Sequence, residues 1–335
     1  MTQASTDSNV ANASQPTTPA EIINQSKRTV NASKSPTHAP RLRHYIIATL
    51  IPISWSFSFV AGKYVMTVTP NGPMTVSMFR FVTAVIALTP MLFLIKRLRK
   101  VPARDYAWMF VLGLLCVTIY HYLFFCGLSL APAGISSIVL ATLPIMINIC
   151  AGLLLGERIT INTFIGGIIA AVGITVIALE KGNWTLAGWG RGETYILCAA
   201  FAWLAYTLLG RDLYRKYNPV MASIYVFTFG ILACVPWAMT EEPFYQLAEQ
   251  SWAWWGCISY MGVAATAFGI VAFNTCIRIL GAGKTAMFLL IVPPTTNIWG
   301  YLLFDEPATW IKSICIVVVL FGVWLAIKRP RTILQ

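Results

Sequence analysis

Charge is scarce in this chain. Of its 335 residues only 11% are charged, where soluble domains carry roughly 25%, so water is not the principal solvent of the folded protein. Acidic residues are scarcer still, 12 against 24 lysines and arginines, and no Asp or Glu falls in the middle of an apolar run. Proton-driven carriers often place a carboxylate there, so the sequence gives proton coupling no support. Histidine occurs three times, and His38 and His44 precede the apolar region. Metal or acid–base catalysis would need clustered His, Asp or Glu. No G-x-S-x-G, H-E-x-x-H or P-loop occurs either. The eight cysteines make no C-x-x-C pair; lying inside apolar runs, they are expected to be small buried hydrophobes and not a disulfide framework or a metal site.

What the chain has instead is apolar length. Ten segments, approximately 45–67, 74–95, 105–127, 132–155, 160–179, 193–210, 219–239, 253–276, 284–304 and 308–327, are apolar, and each approaches the ~20 residues that cross a bilayer core of ~30 Å. The fold class expected is an all-α integral membrane protein of ten transmembrane helices. Residues 1–43 are rich in Ser, Thr, Asn, Ala and Pro and are expected to form a disordered cytoplasmic tail; with their polar start they are not a signal peptide. Residues 329–335 form a second short tail. The net charge of +12 would suggest nucleic acid in a soluble protein, but the basic residues sit in short loops between apolar runs. Counted by side, 19 lie with the termini and 4 opposite. The positive-inside rule then puts both termini in the cytoplasm, and the chain is expected in the cell inner membrane as a multi-pass protein. Trp108, Trp184, Trp189, Trp237, Trp252, Trp254, Trp255, Trp310 and Trp324 fall at segment ends, the headgroup depth that indole prefers.

The sequence repeats itself weakly. At an offset of 149 residues, Ala133-Gly134 meets Ala282-Gly283, Leu140 meets Leu289, Pro144 meets Pro293, Asn148 meets Asn297, Glu157 meets Glu306 and Gly173 meets Gly322. At an offset of 148, Trp55, Gly62 and Lys63 meet Trp203, Gly210 and Arg211. The unit holds five helices, an odd number, so its two copies must enter the membrane in opposite directions. The domains expected are 44–180 and 192–328, two inverted-topology five-helix repeats.

Several polar residues stand out against this background. Pro144 and Pro293 remove helical N–H groups and leave the carbonyls of Leu140 and Leu289 without their usual partners, so helix kinks are expected there that face protein or a wet cavity. Asn148 and Asn297 lie one turn beyond, either near opposite ends of a central cavity or as interhelical hydrogen-bonding glue. Thr118, His121 and Tyr122 fall on one stripe of helix 3 and suit an organic substrate, with a packing histidine as the alternative. Arg80 and Lys284 are intramembrane cations that could meet a substrate carboxylate, tie helix ends together or snorkel. Trp55 and Asn274 complete the candidate pathway. Glu157 and Glu306 are expected to cap the helices that follow them. Gly166, Ala170, Gly173, Gly262 and Gly269 allow close helix packing, with a homodimer face as a further use.

Trp55…Gly62-Lys63, Phe79-Arg80-Phe81, Pro144…Gly156-Glu157 with Gly166 and Gly173, and Pro293…Glu306…Gly322 together resemble the drug/metabolite transporter superfamily, in particular its EamA-type ten-helix members. Asp305-Glu306-Pro307 departs from the Gly-Glu usual at that turn. The resemblance implies efflux or exchange of amino acids or related small polar metabolites by alternating access, with a small-molecule substrate and the lipid bilayer as partners, no nucleic acid and no cofactor. A membrane-embedded enzyme and a receptor or channel are the alternatives, though no filter-like segment or charged ring is visible.

Overall fold

The structure, a computed structural model, describes residues 41–68, 72–93, 101–155, 160–180, 190–241, 250–304 and 309–328. Glu157, Glu306, Trp184, Trp189, the basic run 96–100 and both tails lie outside the described residues, apart from Arg41, Leu42 and Arg43.

Among the described residues every regular element is helical, because a backbone in hydrocarbon must satisfy its own hydrogen bonds. Ten helical segments follow the ten apolar runs. They are α1 (Leu42–Val68), α2 (Pro73–Leu92), α3 (Ala103–Leu130), α4 (Ala133–Leu140, continued by Leu143–Leu155), α5 (Ile161–Glu180), α6 (Arg191–Lys216), α7 (Pro219–Ala238), α8 (Trp252–Leu280), α9 (Ala282–Met287, Phe288–Ile291 and Val292–Phe304) and α10 (Trp310–Ile327). Eight are long and apolar enough to cross a membrane; α5 and α10 hold shorter apolar stretches, Ile161–Val176 and Ser313–Ile327. Their starts use ordinary punctuation. Pro73 and Pro219 occupy first-turn positions, where no N–H is missed. The Asn218 side chain accepts from Val220 N at 2.9 Å, and Ser251 Oγ accepts from Trp254 N at 3.2 Å. Between α8 and α9, Gly281 turns the chain at φ 91°, a conformation that side chains resist.

Two pairings fix directions within the bundle. At one end of the α2–α7 contact Met74 packs with Cys234 and Ala238; further along α2, Phe81 meets Phe227 at 5.0 Å. The two helices are therefore antiparallel. In the α5–α10 crossing, Thr163 Oγ1 donates to the Ala326 carbonyl at 3.1 Å. A methyl built on Gly166 would lie 2.3 Å from the Gly322 carbonyl oxygen, and one on Gly173 would lie 3.1 Å from that of Cys315. This pair also runs antiparallel, with backbones touching. The glycines of α5 are thus taken up by α10, and Gly262 of α8 by Arg80 and Thr83 of α2, so these faces are occupied inside the chain and are not open to a second copy.

Two carboxylates join helices at the ends of α7. Glu241, just past its C-terminal end, accepts from Thr75 N at 2.8 Å, Thr75 Oγ1 at 3.0 Å and Met74 N at 3.3 Å, closing the first turn of α2. At the other end Asp105 of α3 accepts from Lys216 and from the Tyr217 hydroxyl.

Leu153, Leu154, Phe164, Ile314 and Val317 are exposed on the outside of α4, α5 and α10, as lipid-facing positions should be. Trp252 and Trp310 are 92% and 86% exposed, in keeping with interfacial anchors. Trp254 is not: it is fully buried against Trp255 and Phe79, because its position in the first turn of α8 faces α2. None of the eight cysteines forms a disulfide; Cys116, Cys234, Cys276 and Cys315 are buried, whereas Cys198 is exposed, so the expectation of burial fails there.

Four of the ten helices depart from regularity, and they do so in pairs. α3 loosens into a π-helical stretch at Leu114–Tyr120 and α8 at Met261–Phe268. α4 breaks after Leu140, and α9 tightens into a 3-10 turn over Phe288–Ile291. The members of each pair lie close to 149 residues apart.

Candidate functional site

Three of these four irregular stretches line a cavity, through Tyr120, Ala141 and Leu289, and α8 reaches it at Ile270, just past its π stretch. It is narrow: its atom-free space, counting the part open to the outside, is about 600 Å³. α1 contributes Trp55, Ser58 and Phe59, α2 contributes Arg80, and α3 contributes Tyr120, His121 and Phe124. From α4 come Ser137 and the residues beside its break, Leu140, Ala141 and Leu143; Trp203, Ile270, Leu289 and Val292 complete the lining from α6, α8 and α9.

The π-helical stretches supply the polar anchoring. A π register shifts the i→i−4 pairing and exposes backbone groups to side chains. In α8, the Ala265 carbonyl accepts from the Trp55 indole N–H at 2.8 Å, and Thr266 Oγ1 accepts from Arg80 Nε at 2.6 Å. In α3, the Val117 carbonyl accepts from Ser77 Oγ at 2.9 Å. The Cys116 carbonyl lies 2.6 Å from His121 Nδ1. A carbonyl can only accept, so Nδ1 carries a proton. Phe81 and Tyr120 stand edge-on to the imidazole, each at 4.7 Å. Trp55 meets Trp203 edge to face at 5.2 Å, and Tyr120 lies 4.8 Å from Trp203. Gly269 leaves room for the Trp55 ring: a methyl there would lie 2.6 Å from its nitrogen.

Of the residues singled out from sequence, Trp55, Arg80 and His121 meet at this cavity. The remainder lie elsewhere. Thr118 Oγ1 donates to the Gly230 carbonyl at 3.3 Å, and Tyr122 packs on Trp237 at 4.4 Å; the π stretch turns both away from His121. Asn148 Nδ2 donates to the Pro144 carbonyl at 2.9 Å and the Gly283 carbonyl at 3.1 Å, joining α4 to α9. Asn297 Nδ2 donates to the Pro293 carbonyl at 2.8 Å. Both amides serve the helix next to their proline. Asn274 is buried and donates to the Tyr206 hydroxyl at 2.7 Å, which is 2.8 Å from that of Tyr214. Lys284 is half-buried in the first turn of α9. Pro144 and Pro293 follow the α4 break and the α9 3-10 turn.

Sequence reading missed two lining residues with unmet polar atoms. Ser58 Oγ and Trp203 Nε1 are buried, 3% exposed each, and have no hydrogen-bond partner. Buried polar groups are seldom left so. Trp203 carried a signal, since it is the counterpart of Trp55 in the repeat; a serine in an apolar run carries none.

Comparison with known proteins adds the following. The sequence pattern of the EamA-like transporter family matches residues 42–179 and again 190–328. A protein of Archaeoglobus fulgidus named an uncharacterized transporter is 26% identical over 288 residues, 86% of this chain and 100% of its own. YyaM of Bacillus subtilis, named likewise, is 24% identical over 87% of this chain and 96% of its own. A probable terminal-alkyne amino-acid exporter of Streptantibioticus cattleyicolor is 24% identical over 62% of this chain and 68% of its own. A protein known from its crystal structure superposes with a TM-score of 0.65 at 16% identity, over 86% of this chain and 97% of its own, so the fold is similar.

Proposed function

Because the chain belongs to the EamA-like transporter family, and is thus a multi-pass membrane protein and not an enzyme, we propose that the aromatic cavity is the substrate site of a secondary carrier. The carrier exports or exchanges a small metabolite, such as an amino acid or a related compound, across the inner membrane by alternating access. Its ten helices form two five-helix repeats of inverted topology, with both termini cytoplasmic.

The observation that carries this reading is the pairing at the cavity. Trp55 and Trp203, His121 and Ile270, Leu140 and Leu289, and Leu143 and Val292 all line it, and the members of each pair are 148 or 149 residues apart. A cavity lined by equivalent positions of two units lies on the axis that relates them. The antiparallel crossings of α2 with α7 and of α5 with α10 support the inversion, since helices five places apart would run parallel in a direct repeat. The double family match supports the domain limits, and the name of the Streptantibioticus relative supports amino acids as a cargo class.

Purified protein in liposomes preloaded with unlabelled amino acids should take up the labelled counterpart faster than empty liposomes do. Trans-stimulation is a property of carriers, and its absence for amino acids and for related carboxylates alike would sink the proposal. A reporter fused after Gln335 and found on the outer side would refute the orientation.

A further inference from the structure

Among the described residues, the cation in this cavity has no anion. Arg80 is 5% exposed. Its hydrogen bond goes to a neutral threonine hydroxyl, and the ionisable groups around it are Tyr120, Cys116, Tyr260 and His121, none of them a carboxylate. A buried guanidinium is a costly group to leave unneutralised. The other unmet polar atoms lining the cavity, the Trp203 N–H and the Ser58 hydroxyl, can both donate. Besides His121 and Ser137, the rest of the wall is apolar, and Trp55, Phe59, Phe124 and the ring of Tyr120 give it flat faces.

We infer that the cargo is a monocarboxylate with a flat apolar body, its carboxylate on Arg80 with Trp203 or Ser58 as further donors, and its body among the aromatic rings. This rests on the reading of the cavity as the transport site, and it narrows the cargo class. An added ammonium would enter beside Arg80, a like charge, with no carboxylate in the lining to offset it. A second carboxylate would have no second cation. A bidentate guanidinium–carboxylate contact is the strongest pairing that these donors offer.

Four probes of one shape separate the charges: phenylacetate, phenylacetamide, 2-phenylethylamine and L-phenylalanine. Their binding to the purified full chain is measured by calorimetry, and their exchange in proteoliposomes is followed in parallel. Phenylacetate should bind at least tenfold more tightly than the amide or the zwitterion, and the amine should not bind. Arg80→Gln should reduce phenylacetate to the level of the amide, and Arg80→Lys should restore part of the difference. Should Arg80→Gln fail to fold, Trp203→Phe gives an independent check: it should weaken phenylacetate several-fold and leave the amide unchanged. Equal binding of acid and amide, tighter binding of phenylalanine, or an Arg80→Gln variant that binds phenylacetate as the parent does would each overturn the inference. Amino-acid exchange without phenylacetate binding overturns it while the carrier reading stands. Phenylacetate held by Arg80, with neither it nor any amino acid exchanged, overturns the carrier reading and the cargo inference with it.

Discussion

Residues 42–180 bring to the cavity a guanidinium, an imidazole and two serine hydroxyls; residues 191–328 bring Trp203, Ile270, Leu289 and Val292. The backbones of the two halves nevertheless deviate from regularity at matching places, with a π stretch in α3 and α8 and an interruption in α4 and α9. Shape is shared and chemistry is not. Irregular backbone is tolerated in lipid only where it is buried in protein or lines a cavity, since freed carbonyls must find partners there. A cargo with one charged end requires something different, a single polar wall. Position 80 illustrates the contrast. Its counterpart in the Phe227-Thr228-Phe229 triplet, 148 residues on, is Thr228, which is exposed on the outer face of α7 while Arg80 is buried.

Moving charge to the other half should therefore fail. Thr228→Arg would place a guanidinium on the lipid face, at a cost of about 3 kcal/mol near mid-membrane, and should sharply lower the yield of inserted full-length protein on membrane-fraction blots. A yield equal to the parent's would break the comparison.

The glycine crossing should distinguish the halves next. A methyl on Gly322 meets backbone, 2.6 Å from the Gly166 oxygen and 2.7 Å from Ala170 N, whereas one on Gly173 first meets the Val319 side chain at 2.9 Å. Gly322→Ala should cost about 2 kcal/mol as overpacking and lower the apparent unfolding midpoint in micelles; Gly173→Ala should lower it less. The tryptophan pair gives the smallest contrasts. Trp55→Phe removes the hydrogen bond to the Ala265 carbonyl, about 1 kcal/mol. Trp203→Phe deletes an N–H that has no partner and should change stability by no more than about 0.5 kcal/mol in the absence of ligand. Equal losses at the two tryptophans would remove the distinction between them.

How much of this could be read from sequence follows from what each feature needs. The ten apolar runs were legible because length and hydropathy alone set a span, and the helices fall within a few residues of them. The interruptions of α4 and α9 were legible through Pro144 and Pro293. The π stretch of α3 was not, because Leu114–Tyr120 contains neither proline nor glycine; the extra residue is accommodated by neighbours on α2, α6 and α7, which no local pattern reveals. That hidden register also explains Thr118 and Tyr122: a helical stripe drawn at 3.6 residues per turn fails where the turn is wider. Arg80 was legible as an intramembrane charge, but its missing counterion was not, since that is a property of the surrounding helices. The matched asparagines were conspicuous in the repeat, and each is engaged by the backbone beside its own proline.

The two carboxylate clasps at the ends of α7 act on one spar. Tyr217 and Glu241 are separated by roughly 35 Å of helix, so Asp105 and Glu241 grip it near opposite rims of the bundle. Their grips differ in kind. Glu241 closes on main-chain N–H groups at a helix start, a fixed and partly sheltered mooring, whereas Lys216 is nearly half exposed and reaches Asp105 through a long, water-screened side chain. At Asp105 the Tyr217 hydroxyl is thus the sheltered half of the hold and the Lys216 arm the half that salt would loosen, while at the Glu241 end all three donors belong to one helix start.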